Sequence, residues 1–139
     1  MKPYLDESAI EYAAIDWLRE QGYTYQFGPD LVRNPKKAIL EDIFEAFLQK
    51  QYPQLPPKEL AAVKQAFLFN SGTDLHTRNH SFHLKLSRGI DWTWKDAAGK
   101  EHFEHLYAID YANPRRNDLR VVNQFTLDGK NRRRPDLIL

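Results

Sequence analysis

The chain has 139 residues, of which 42% are hydrophobic and 13% aromatic, and its formal net charge is +1. This length suits one domain with a single core, and this apolar content excludes an intrinsically disordered chain. The lack of cysteine excludes disulfides and thiolate zinc sites, which fits a reducing compartment.

Residues 1–89 are predicted to be mainly helical. The first predicted helix spans residues 7–21, because Asp6 can cap its start and Gly22 can end it. Helical spacing of apolar residues defines its expected buried face: Ile10, Ala13, Ala14, Trp17 and Leu18. A short strand at Tyr23–Phe27 and a turn at Gly28–Asp30 follow. Three further helices are predicted at Ile39–Gln51, Lys58–Phe69 and Leu75–Ser87.

Residues 90–139 are predicted to be mainly β structure. A hairpin is expected, with strands at Ile90–Lys95 and His102–Tyr111 joined by a turn at Asp96–Lys100. The alternation is expected to bury Trp92 and Trp94 against the helices, and the alternative is an exposed interface. The remaining predictions are a strand at Leu119–Leu127, a polar loop at Asp128–Arg132 and the beginning of a strand at Pro135–Leu139.

The expected fold class is α/β or α+β, with N-terminal helices packed on a mixed sheet built from the second half of the chain. The sequence stops on the apolar residues Leu137, Ile138 and Leu139. A chain that stops inside a strand leaves a sheet edge unpaired. We therefore expect an incomplete sheet and self-association or marginal solubility of the chain, and the alternative is a short terminal edge strand.

Five histidines could suggest a metal site. His76, His80 and His83 share one face of the fourth predicted helix, at a spacing that zinc ligands can adopt. A zinc site also needs further ligands and an outer shell of hydrogen bonds, so packing or a solvated polar stripe is favoured. His102 and His105 lie on opposite faces of a predicted strand and are weaker candidates. Stoichiometric zinc is not expected.

Charge and hydropathy indicate where partners bind. Residues 112–139 contain 7 Lys or Arg against 3 Asp or Glu, whereas residues 1–111 contain 13 against 16. Any surface that binds a polyanion should therefore lie near the C-terminal end, and the alternative, which charge alone favours, is that these arginines only solvate the surface. The first seven residues lack the apolar stretch of a signal peptide, and no uncharged run is long enough to span a membrane. A cytoplasmic protein without a membrane partner is expected.

The chemistry-bearing residues lie around the last predicted strand. No P-loop, dinucleotide-binding glycine pattern, nucleophile elbow or EF-hand occurs. Asp136 follows a basic cluster made of Lys130, Arg132, Arg133 and Arg134. Phosphodiester hydrolysis needs Mg²⁺ on oxygen ligands and cations against the DNA backbone. Asp136 is thus a candidate metal ligand beside candidate DNA contacts, and the alternative is an ion pair with Arg133 or Arg134.

Several separated segments, in order, resemble the N-terminal region of the R (restriction, motor) subunit of type I restriction-modification enzymes. The resemblance spans essentially the whole chain, and its last block is the most specific. The segments that carry it are Leu18–Tyr23, Asn79–His83 with Gly89-Ile90, Ile109–Pro114 with Asn117-Asp118, Val122–Thr126 and Arg134-Pro135-Asp136.

The resemblance implies a Mg²⁺-dependent PD-(D/E)xK nuclease that acts on double-stranded DNA, in which Asp136 matches the first catalytic carboxylate. Many such nucleases add a glutamate from the first helix. Glu7 and Glu11 are the candidates here, and Glu11 is favoured because it should lie on the flank of the apolar face. The alternative role for either is stabilisation of the helix dipole.

No Glu-x-Lys follows Asp136, and the ATP-driven translocase of the family is also absent. We therefore expect the chain to be a truncated, inactive part of an endonuclease. The parent protein would use ATP and would work with modification and specificity subunits. The competing hypothesis is a non-catalytic module that binds DNA or a partner subunit.

Overall fold

The computed structural model describes residues 6–139, and it has a mixed α+β fold with four helices, as predicted. The prediction about a signal peptide falls mainly on residues 1–5, which lie outside the described part. Two compact units make up the chain. Unit 1 runs up to Leu40 and resumes at Asp118–Leu139, and unit 2 spans Glu41–Asn117. The prediction of a single endonuclease domain over residues 1–139 stays a prediction.

Unit 1 begins with helix α1 (Glu7–Glu20), close to the predicted bounds. The Asp6 side chain accepts a hydrogen bond from the Ser8 backbone N–H at 3.4 Å and so caps the helix. Gly22, with a φ of 98°, ends it, because glycine adopts the left-handed conformation without a steric penalty.

The buried face of α1 was predicted only in part, because Ala14 and Leu18 lie on it but Ile10, Ala13 and Trp17 do not. Ile10 is 56% exposed and Trp17 is 61% exposed, whereas Ile15 is 2% exposed. The face turned inward contains Glu11, Ala14, Ile15 and Leu18, at spacings of three, four and seven residues. This face can include a carboxylate because hydrogen bonds compensate the loss of water around Glu11.

The sheet of unit 1 is mixed, as predicted, and its central strand pairs with one strand on each side. Strand β1 (Thr24–Phe27) runs parallel to β4 (Arg120–Asn123), with Phe27 opposite Asn123. Strand β7 (Leu137–Ile138) runs antiparallel to β4. The prediction that the sheet comes only from the second half was wrong, because β1 forms one of its edges. The predicted self-association stays a prediction.

Strand β4 is shorter than predicted because Gln124, with a φ of 49°, turns the backbone out of the extended conformation. The segment predicted as a polar loop forms a short β-hairpin instead. Strand β5 (Leu127–Asp128) pairs antiparallel with β6 (Arg132–Arg133). Lys130, Arg132 and Arg133 of the basic cluster therefore lie in a short hairpin, with Lys130 in its turn, and Arg134 follows directly.

Unit 2 contains helices α2 (Glu41–Gln51), α3 (Pro57–Leu68) and α4 (Leu75–Arg88) and a hairpin of β2 (Ile90–Lys95) with β3 (Glu101–Leu106). Helix α2 begins two residues later than predicted. Pro57 occupies the first turn of α3, as expected for a residue without an N–H. The buried core residues are Phe47, Leu48, Leu55, Leu60, Val63, Phe67, Trp94 and Leu106.

The hairpin tryptophans pack inward, as predicted. Trp94 is buried, and the partly buried Trp92 packs against the same core and donates its indole N–H to Glu59 at 3.0 Å. His102 stacks on Trp94 with 4.3 Å between ring centroids and bonds to Asp96 at 2.9 Å.

Strand β3 ends at Leu106, five residues before its predicted end, because the following backbone bonds to side chains. Asp110, which is 7% exposed, accepts hydrogen bonds from the Asn113 N–H at 2.8 Å and the Gln51 amide at 2.9 Å. The Asn113 N–H, and then Gln51, hold the pKa of Asp110 below its ordinary value. Asn117 closes the loop by accepting from the Asp110 N–H at 2.8 Å.

The remaining histidines are on the surface. His76, His80 and His83 are exposed on α4. Within residues 6–139, no group of three or more His, Cys, Asp or Glu side chains is placed to hold a metal ion. None of the helices in that same part of the chain is long and apolar enough to cross a membrane.

Candidate active site

Glu11 contacts the end of the central strand of unit 1. Its Oε1 accepts a hydrogen bond from the Asn123 amide at 2.9 Å, and its Oε2 accepts one from the Gln124 amide at 3.1 Å. Each carboxylate oxygen is thus held by one neutral donor. Glu7, one turn earlier, is exposed. The structure therefore distinguishes the two predicted glutamates, and it places Glu11 in a defined polar cluster.

Asn123 fixes the orientation of this cluster. The residue is 2% exposed and stands at the end of β4. Its Oδ1 accepts the backbone N–H of Gly28 at 3.3 Å, so its Nδ2 points to Glu11. Tyr25 lies nearby, and a hydrogen bond with Asn123 acts on its pKa. Burial outweighs that bond and raises the pKa of the Tyr25 phenol, with a further contribution from Tyr12.

Asp136 reaches the same strand end through its backbone. Its carbonyl accepts the Gln124 N–H at 3.0 Å, and the Pro135 carbonyl accepts the Phe125 N–H at 3.3 Å. The Asp136 side chain is exposed. Gln124 therefore bonds to Glu11 through its side chain and to Asp136 through its main chain. The structure brings the segments that carry both predicted carboxylates to one end of β4.

The basic cluster precedes Asp136 directly. Lys130, Arg132, Arg133 and Arg134 are all exposed. Arg132 lies 3.5 Å from the Asp128 carboxylate across the hairpin. Within residues 6–139, Asp136 forms no ion pair with Arg133 or Arg134, which was the alternative interpretation of this aspartate. Three of these cations thus lie on the hairpin, and Arg134 lies directly after it, before β7.

Arg33 contacts the segment that joins β4 to the hairpin. Its guanidinium lies 3.6 Å from the centroid of the Phe125 ring and donates to the Thr126 carbonyl. Phe125 is 2% exposed. The segment that follows Gln124 is therefore anchored by an aromatic side chain and a cation, which keeps the end of β4 in place.

Sequence reasoning named Glu11 and Asp136 but assigned no role to Asn123, Gln124 or Gly28. Asn123 and Gln124 were noted only as parts of a segment that carries a resemblance. Their role depends on pairings with residues about a hundred positions away, which no local pattern reveals. The one local sign was a pair of amides at the end of an apolar strand.

Replacement of Gly28 should disturb this cluster. A Cβ at residue 28 would collide with the backbone carbonyl oxygens of Asn123 and Gln124. Because backbone has to move, we expect Gly28→Ala to lower the free energy of unfolding by about 1–3 kcal/mol. Urea unfolding of the 139-residue chain measures this. Gly129→Ala is the matched control, since its Cβ would meet only Asn131 O at 3.9 Å. Equal losses in both variants would contradict the prediction.

Comparisons with known proteins identify relatives of the chain. No solved structure matches the chain. The chain is 26% identical over 144 residues to a protein of Methanocaldococcus jannaschii named as the MjaIXP endonuclease subunit of a type I restriction enzyme. It is also 26% identical over 145 residues to the type I restriction enzyme HindI endonuclease subunit of Haemophilus influenzae. Each alignment covers 96% of this chain but 14% of the relative.

A family description matches nearly the full length. Residues 4–139 match the family described as the type I restriction enzyme R protein N terminus. The match includes α1, the whole of the sheet of unit 1 and the basic hairpin. The chain therefore belongs to the N-terminal region of type I restriction enzyme R proteins.

Proposed function

We propose that this chain is the front part of a PD-(D/E)xK nuclease domain whose full-length protein hydrolyses phosphodiester bonds of double-stranded DNA. The observation that carries the proposal is the placement of Glu11 and the Asp136 segment at one end of β4. Two carboxylates from a helix and a strand suit a site in which a divalent cation binds next to phosphate.

The donor set fits Mg²⁺. An ionised carboxylate has about four acceptor positions, and the two amides on Glu11 occupy only part of them. The exposed side chain of Asp136 adds oxygen donors, which Mg²⁺ prefers. When bound, the ion would lower the pKa of an attacking water and neutralise charge on the phosphate. Glu11 and Asp136 would hold it, and both side chains would orient water next to the DNA.

The basic hairpin would hold the DNA backbone. Arg132, Arg133, Arg134 and Lys130 precede the Asp136 segment and point into solvent. Cations in this position favour a polyanion by releasing its counterions, and they carry no base specificity. Recognition of a particular sequence would then belong to another subunit. In the cytoplasm, the full-length protein would work with modification and specificity subunits and use ATP for translocation.

The isolated chain should not cleave DNA, because no Glu-x-Lys strand accompanies Asp136. The test compares the 139-residue chain with the full-length R protein assembled with its partner subunits, on supercoiled DNA with Mg²⁺ and ATP. We expect the assembly to linearise the DNA and the short chain to leave it intact. Mg²⁺-dependent nicking by the pure short chain, lost in Asp136→Asn, would contradict the inactivity of the fragment.

A second candidate function is a module that only binds DNA, and the exposed basic hairpin favours it. The 139-residue chain and the assembled full-length protein also distinguish the nuclease from the DNA-binding module. A module binds DNA in a gel-shift assay, with affinity that falls as salt rises. Failure of the assembled full-length protein to cleave, while the short chain still binds, would support the module and overturn the nuclease proposal.

A further inference from the structure

Gln124 has an unusual backbone for its residue type. Among the non-glycine residues in 6–139, Gln124 alone has a positive φ, of 49°. This left-handed conformation crowds Cβ against the following carbonyl, so glycine or asparagine is usual there. Such strain persists where the surroundings enforce it, and it concentrates at functional sites. We therefore expect the Gln124 side chain to have a role that offsets this strain.

The left-handed turn lets one residue serve two partners. The Gln124 N–H continues the pairing with the Asp136 carbonyl at 3.0 Å. Its amide Nε2 donates to Glu11 Oε2 at 3.1 Å. An extended residue 124 would continue β4, and successive side chains of a strand point to opposite faces. Asn123 and Gln124 can both reach Glu11 because the strand alternation is broken between them.

The side-chain amide of Asn123 cannot rotate by half a turn without losing its two hydrogen bonds. Its Oδ1 accepts the Gly28 N–H at 3.3 Å, and its burial at 2% exposure leaves no water to replace that bond. A flipped amide would place two donors against each other and leave Glu11 Oε1 without its donor. The Nδ2 of Asn123 is thus held toward Glu11 by the backbone of the turn that follows β1.

We propose that Asn123 and Gln124 are positioning residues that orient the Glu11 carboxylate for a divalent cation. Each amide uses one acceptor position on one oxygen and adds no charge, whereas a lysine or arginine would neutralise the carboxylate. The negative charge and the remaining acceptor positions stay available for the cation. This inference rests on the proposed nuclease function and adds a role for two neutral side chains.

Gln124→Gly in the assembled full-length protein tests the proposal. Glycine adopts a φ of 49° freely, so the thermal unfolding midpoint should stay equal or rise. Loss of a partner that orients a metal ligand typically reduces metal affinity or activity by about 10- to 100-fold. We expect a reduction of this size in cleavage rate at low Mg²⁺, a higher Mg²⁺ concentration for half-maximal cleavage, and partial rescue by excess Mg²⁺.

Two further variants separate positioning from folding. Gln124→Asn keeps an amide and tolerates the left-handed conformation, but its side chain is one methylene shorter, so its Mg²⁺ requirement should lie between those of wild type and Gln124→Gly. Gln54→Ala is the matched control, since Gln54 donates its amide to Glu104 at 2.6 Å within unit 2. Its Mg²⁺ requirement should equal that of wild type. ATP hydrolysis on DNA reports that each variant assembles.

The outcomes distinguish this proposal from the one on which it rests. If Gln124→Gly keeps the wild-type Mg²⁺ requirement while Asp136→Asn abolishes cleavage, the positioning role is overturned and the nuclease proposal stands. If Asp136→Asn leaves cleavage unchanged, the nuclease proposal falls, and the positioning role falls with it. A raised Mg²⁺ requirement in Gln124→Gly, with unchanged ATP hydrolysis and thermal midpoint, supports the positioning role.

Discussion

Asp136→Asn in the full-length protein should abolish DNA cleavage while leaving the fold intact. The change keeps the size of the side chain and the backbone bond from Gln124 to the residue 136 carbonyl. It removes one of the two carboxylates proposed to hold Mg²⁺. Loss of about 4 kcal/mol of transition-state stabilisation corresponds to about a thousandfold in rate. Single-turnover linearisation of supercoiled DNA by the assembled protein measures the effect.

Asp128→Asn is the matched control for this experiment. Asp128 lies in the short hairpin that precedes the Asp136 segment and pairs with Arg132 at 3.5 Å, and its N–H bonds to the Pro35 carbonyl rather than to the end of β4. Its cleavage rate should stay within about threefold of wild type, since exposed ion pairs contribute about 0.2–1 kcal/mol. Equal rates in Asp136→Asn and wild type would remove Asp136 from the proposed site. Equal losses in both variants would indicate a general effect of charge.

The helices were predictable because their ends are encoded locally. Asp6 and Asp74 supply caps from their side chains, and Pro57 suits a first turn. Gly22 and Gly89 allow the left-handed backbone that ends a helix. These signals lie within a few residues of the structure that they determine, so the sequence alone places the four helices to within about two residues.

The inward face of α1 was predicted only in part, because it depends on distant partners. Hydropathy favours burial of Trp17, yet Ile15 is the buried residue and Glu11 lies on the inward face. The inward position of Glu11 is stabilised by a hydrogen bond from the Asn123 amide, which is 112 residues away in sequence. The parallel pairing of β1 with β4 is likewise non-local, and no pattern inside either strand specifies its partner.

The candidate site was half predictable for the same reason. Asp136 and Glu11 could be named from their residue type and from the resemblance of their segments. The contribution of Gln124 depends on a φ of 49°, which residue type disfavours. A position where local preference fails and distant contacts prevail is often functional. The disagreement between the usual φ of glutamine and the φ observed at Gln124 therefore supports a functional role for this residue.

Stability of unit 2 should depend on Phe67 far more than on a nearby phenylalanine of equal size. Phe67 is 0% exposed at the end of α3 and makes an edge-to-face contact with Phe44 at 5.8 Å between centroids. Phe67→Ala leaves a cavity that surrounding side chains fill only in part. We expect the free energy of unfolding to fall by about 3–5 kcal/mol, measured by urea unfolding of the 139-residue chain.

Phe69→Ala provides the control two residues later. Phe69 is 73% exposed, so its truncation should change the free energy of unfolding by about 0.5 kcal/mol or less. Native domains are stable by about 5–15 kcal/mol, so the loss at Phe67 is large enough to unfold part of the population at 37 °C. Similar losses in both variants would mean that α3 does not pack as described. A large difference locates the core of unit 2 beneath α3 and its hairpin.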